Sequence, residues 1–149
     1  VKAVESAKAV VAEPEQSSKI KVSSNGTVGG FDYDSETKQY AHTQYNEPMI
    51  DKETGEQLKV DNVIVQRVHS DIMVDAETGT SDEKGRLEID MYAGGDAMLF
   101  TQGQVVNGSW SRKDSSSRTI FRDENGEQFR LTPGHTWVLV LDQNYDLEY

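Results

Sequence analysis

The spacing of apolar side chains changes once along the chain. Val1, Val4, Ala7 and Val11 recur near helical spacing and Pro14 follows as a stop, which predicts a short helix in the opening dozen residues. Residues 1–18 then read as helix and linker. From Ile20 onward short alternating runs take over, predicting strands at 19–23, 28–33, 38–44, 62–70, 86–92, 97–101, 104–110, 117–122, 128–131 and 136–141. Gly, Asn and Asp bound most of them and supply the turns. "NVIVQRVH" from Asn62 is a β-branched run suited to burial on one or both faces, and "TWVLVL" from Thr136 is its expected partner in the core. Short strands with short connections favour hairpins. The expectation is a mainly β (α+β) chain: one β-rich domain over 19–149, antiparallel and hairpin-rich, curled or sandwiched, after one short N-terminal helix.

Composition narrows the function classes more than the fold. The 149 residues are the size of one domain, with 35% hydrophobic and 28% charged side chains. Acidic residues outnumber basic ones by 26 to 15, giving a net charge of -11, and no basic cluster exceeds the pair Arg112 and Lys113. A phosphate backbone or an anionic bilayer would be repelled, so neither nucleic acid nor charge-driven membrane docking is expected. The absence of cysteine removes disulfides, thiolate metal sites and cysteine nucleophiles. No apolar run approaches a membrane span, and the N-terminal residues lack a signal-peptide pattern. A start at Val1 rather than Met leads us to expect a fragment or processed product.

Four acidic segments invite a calcium reading: "DSETKQY" from Asp34, "DKETGEQL" from Asp51, "DAETGTS" from Asp75 and "DENGEQF" from Asp123. An EF-hand loop needs Gly at position 6 and a bidentate Glu at position 12. From Asp51 the Gly falls at position 5 and Asn62 at 12; from Asp75 the Gly again falls at 5, with Arg86 at 12. Start-to-start spacings of 17, 24 and 48 residues also rule out a fixed repeat. Asp bonding the backbone two residues on, then Gly or Lys after the polar residues, with Gly or Asn suited to the left-handed conformation, accounts for all four as turns. His42, His69 and His135 show no metal-ligand spacing, so no metal is expected. The serines of "GSWSRKDSSSR" lack an elbow motif and a positioned base, and "GGFDYD" and "AGGDAM" lack a phosphate-cradling pattern. Catalytic residues and cofactors are accordingly not assigned, and the balance leans away from an enzyme. Trp137 reads as core; Trp110, among polar neighbours, reads as more open.

Several segments in order carry a resemblance. The tyrosine-rich hairpin and Asp-led turn of "GGFDYDSETKQYAHTQY", the strand "NVIVQ", the Gly-x-Trp of "GSW", the turn "DENG" and the ending "LTPGHTW" resemble the YerB-like lipoprotein family of Gram-positive bacteria, over roughly residues 19–141. The resemblance implies the C-terminal half of such a protein, a domain of unknown function with no catalytic residues to carry over. The family's upstream domain and lipidated cysteine have no counterpart here. The family often has Arg after the second hairpin Tyr and Lys before Thr-Trp; Ala41 and His42 follow Tyr40 here, and His135 precedes Thr136. By resemblance the domain is expected outside the cytoplasmic membrane, reaching it only through a lipid anchor on an upstream part. The leading expectation is a non-catalytic domain contacting envelope proteins. The alternative is a glycan-binding or glycan-acting cell-wall module, with a ligand groove drawn from Trp110, Tyr40, His42, Asp90 and Asp96.

Overall fold

Alternation becomes two facing sheets and a projecting hairpin. The computed structural model describes residues 15–24 and 27–149; the helix expected over the first dozen residues lies outside them, and no helix occurs among the described residues. The strands are β1 (Glu15–Gln16), β2 (Lys19–Ser24), β3 (Thr27–Asp34), β4 (Gln39–Gln44), β5 (Glu47–Pro48), β6 (Lys59–Val60) and β7 (Asn62–Arg67). There follow β8 (His69–Ile72), β9 (Leu87–Asp90), β10 (Ala93–Thr101), β11 (Gln104–Arg112), β12 (Ile120–Asp123), β13 (Thr136–Leu141) and β14 (Asp146–Glu148). One sheet runs β1-β11-β10-β7-β13, with β12 also on β11; the other runs β14-β2-β3-β4-β5, with β6 also on β4. Among the described residues β8 and β9 pair only with each other.

"TWVLVL" does partner "NVIVQ", in parallel, from Thr136 beside Asn62 to Leu141 beside Arg67. The other strand pairings among the described residues are antiparallel. Parallel neighbours need a long connection, and here it carries β8 to β12. Register puts Val63 beside Phe100 and Trp137, and Val65 beside Met98 and Leu139. These side chains meet Ile20, Phe31 and Tyr40 of the second sheet in one apolar cluster. Burying each large aliphatic or aromatic side chain contributes about 1.5–3 kcal/mol. A smaller cluster of Val68, Ala97 and Trp110 is backed by Phe121 and Phe129.

Several strand bounds shift, the expected 86–92, 97–101 and 117–122 becoming β9, β10 and β12 with the ranges given above, and three further expectations are corrected by visible contacts or backbone angles. Residues 128–131 form no strand: Gln128 makes a single bridge to Arg122, and the Thr132 N–H is taken by the Asn62 Oδ1 at 2.9 Å. The run 62–70 divides at Val68, whose N–H goes to the Leu141 carbonyl. The strand expected from Lys38 begins at Gln39, because Lys38 sits at a φ of 58°.

All four Asp-led segments are turns. Each aspartate Oδ1 accepts the N–H two residues on, from Glu36, Glu53, Glu77 and Asn125. Gly55, Gly79 and Gly126 take positive φ in three of these turns, as Lys38 does in the fourth. The backbone amides of Glu36 and Thr37 hold the Asp34 carboxyl below its ordinary range, and those of Thr78 and Glu77 do the same for Asp75.

Candidate functional site

The five residues expected to share a groove do not line one cavity: Tyr40 and His42 stand together on one face of β4, while Trp110, Asp90 and Asp96 lie on other strands. Trp110 is only 2% exposed, correcting the expectation of an open indole. It lies opposite Gly95 on β10, and its Nε1 crosses that glycine to donate to the Arg67 carbonyl at 2.6 Å. A Cβ on Gly95 would come within 2.6 Å of that carbonyl oxygen and 2.8 Å of Nε1, so the paired glycines of "AGGDAM" serve close approach rather than ligand binding. Tyr40 has no exposed surface and sits in the main core. Its hydroxyl accepts the Gly103 N–H at 2.9 Å, and burial pushes its pKa up to about 12.

His42 packs with Phe31 and Trp137 in a three-ring cluster, its centroid 4.6 and 4.8 Å from theirs and theirs 5.9 Å apart. Its Nδ1 donates to the Gly30 carbonyl at 3.0 Å, since a carbonyl can only accept. Asp90 is exposed at the end of β9, where its Oδ1 accepts the Tyr92 N–H at 2.9 Å. Asp96 alone among the five lines a sizeable cleft.

That cleft, about 660 Å³, opens over one face of the β10–β11 hairpin. Register pairs Asp96 with Ser109 and Met98 with Asn107, so four of its lining side chains project from neighbouring positions on one face. Leu147 and Tyr149 wall it from the C-terminal side; the Tyr149 ring stands edge-on to Phe100 at 5.6 Å. Arg67 also lines it and fixes that wall, donating from Nη1 to the carbonyls of Tyr145 at 2.8 Å and Asp142 at 3.3 Å. Asp96, Asp123 and Glu124 make the cleft acidic against one arginine. Its chemistry suits hydrogen bonding to a polar ligand beside an aromatic ring. Among the described residues no group of three His, Cys, Asp or Glu side chains is placed to hold a metal ion.

A second surface was not singled out by sequence reasoning. β8 and β9 project as a two-stranded arm, with Ile72, Val74, Leu87 and Ile89 between 44% and 58% exposed. The alternation in "LEID" predicted a strand and was the available signal, but alternation does not reveal that the apolar face is left exposed. The arm's base is tied to the body by the Ser70 Oγ, which donates to the Asp142 Oδ2 at 2.7 Å. The Asp142 carboxyl is held below its usual range by that hydroxyl and by the Asn144 amide.

Comparison with known proteins places these features in a family context. Residues 18–138 match the family described as the C-terminal domain of a protein of unknown function, DUF3048. The chain is 25% identical over 111 residues to the Bacillus subtilis (strain 168) protein named "Putative lipoprotein YerB", covering 74% of this chain and 30% of that protein. The crystal structure of YerB from Bacillus subtilis superposes with a TM-score of 0.71 at 21% identity, covering 90% of this chain and 45% of that one, which shows a shared fold. The chain thus spans less than half the length of the relatives it matches. With the match running through most of both sheets, the chain belongs to the DUF3048 C-terminal domain family.

Proposed function

We propose that this chain is a non-catalytic, extracytoplasmic unit, with residues 19–149 forming one β-rich domain, that contacts protein partners in the cell envelope. It would belong to a longer lipoprotein held at the outer face of the membrane by a lipid on an upstream part. Similarity to the protein named "Putative lipoprotein YerB", together with the match to a family described as of unknown function, supports the setting. The observation that carries the contact role is the exposed apolar face of the β8–β9 arm. Photo-crosslinking from position 72, in cells making the lipoprotein, is expected to yield adducts with envelope proteins. Turnover of peptidoglycan fragments by the purified chain would overturn the reading.

The alternative glycan module draws on the acidic cleft, where Asp96 supplies a carboxylate and Tyr149 a ring to one lining. Titration with peptidoglycan fragments separates the two readings. Saturable binding that Asp96→Asn abolishes favours the glycan module; no response favours the protein-contact role.

A further inference from the structure

Residues 69–92 form an amphipathic hairpin with neither strand paired to any other strand among the described residues. Register sets Ile72 opposite Leu87 and Ser70 opposite Ile89, so Ile72, Leu87 and Ile89 share one face. His69 opposite Asp90 and Asp71 opposite Glu88 make the other face charged. An isolated two-stranded hairpin is marginal in water, and this one leaves its aliphatic face open, with Val74 continuing it toward the tip. At the tip, Met73 and Val74 border a hollow of about 390 Å³ beside the paired Asp82 and Arg86, large enough to receive a side chain.

Charge selects the occupant. The segment carries seven carboxylates against Lys84 and Arg86, and the Arg86 guanidinium is already engaged by Asp82 at 2.6 Å. A second copy, itself at -11, would bring like charge to this face, and an anionic bilayer would do the same. We propose that the apolar face of the arm docks a partner protein whose contact patch is aliphatic at its centre and rimmed by lysine or arginine. This proposal rests on the protein-contact reading above. The aliphatic centre would supply desolvation, and the carboxylates would steer approach and reject acidic surfaces.

The test uses the whole chain and two short peptide probes, one alternating lysine with valine and one alternating lysine with threonine. The lysine–valine peptide is expected to bind at least about tenfold more tightly than the lysine–threonine peptide, with affinity falling as salt rises. Ile72→Thr with Leu87→Thr places β-branched threonine on both strands but breaks the aliphatic patch at its central pair, and is expected to abolish that difference. Asp71→Asn with Glu88→Gln leaves the patch intact and is expected to reduce the salt dependence; this pair keeps the proposal testable should the first variant misfold. Equal binding of both peptides by the wild-type chain overturns the proposal. So does a folded Ile72→Thr, Leu87→Thr variant that keeps the preference, or concentration-dependent dimerisation that this variant abolishes. Any of these removes the basic-patch assignment while leaving other protein contacts possible, whereas glycan turnover removes the protein-contact reading itself.

Discussion

Lys38 stands at a φ of 58° at the close of the turn led by Asp34, the position that Gly55 and Gly79 occupy after Asp51 and Asp75. The three turns share the pattern D-x-E-T followed by Lys or Gly. An L-residue in the left-handed region costs about 1–2 kcal/mol, and glycine recovers part of that while adding unfolded-state freedom. Lys38→Gly is therefore expected to raise stability by about 0.5–1 kcal/mol in urea denaturation. Lys38→Val should lower it, because a β-branched side chain fits that conformation worst. Equal stability of the two variants would show that this turn tolerates either conformation. The left-handed requirement at Lys38 was hidden in the sequence because lysine carries none of glycine's signal. Trp110 was misread for a similar local reason: its neighbours Ser109 and Ser111 are polar, but the indole folds over Gly95 on the adjacent strand.

The connection from β13 to β14 grips the base of the arm. Asp142 Oδ2 accepts from the Ser70 hydroxyl and Oδ1 from the Asn144 N–H at 2.9 Å, while the Gln143 side-chain amide spans the Ser70 main chain, accepting from its N–H and donating to its carbonyl. Because these donors depress the Asp142 pKa, its contribution is fully present above the unfolded carboxylate value of about 3.9 and is lost as pH falls through the lower folded value. Asp142→Asn is expected to melt lower than wild type at neutral pH, with the gap closing as the solution is acidified below that range. Thermal melts across pH check this; a pH-independent gap would mean that the carboxylate's charge does no work. At this scale the sequence was legible wherever a strand carried its own alternation and its own turn, as in β2 to β4 and the half of the β10–β11 hairpin nearest its turn. It was not legible where a distant group decides the outcome. The break at Val68 depends on the Leu141 carbonyl, and two-residue strands such as β5 and β6 exist because a neighbouring edge is there to pair with. The acidic cleft was glimpsed only through Asp96, because its wall is built by Tyr149 from the far end of the sequence.

At the scale of the whole molecule, Tyr40 links one sheet to the backbone of the other. It rises from β4, and its hydroxyl accepts the N–H of Gly103 at the tip of the β10–β11 hairpin, where Gln102 and Gly103 both take positive φ. Tyr33 packs beside it, with ring centroids 5.0 Å apart, and a Cβ on Gly103 would fall 2.8 Å from the Tyr33 ring. The folded Tyr40 pKa of about 12 lies above the ordinary phenol value of about 10. Folding thus favours the neutral phenol. The associated stability is fully present below about pH 10 and is lost as pH rises through about 12. An ultraviolet titration is expected to show one of the six tyrosines ionising late, near the pH at which the two sheets separate. In Tyr40→Phe that late step should disappear, because the buried phenol is gone. At neutral pH the same variant is expected to lose about 1–2 kcal/mol, since the Gly103 N–H is left without its acceptor in the interior. Its stability should also decline less than that of wild type between pH 10 and 12, because no phenol remains to be forced into its charged form. A Tyr40→Phe variant that retains the late-ionising step would place that step on another tyrosine and remove this clamp from the account of how the sheets are held together.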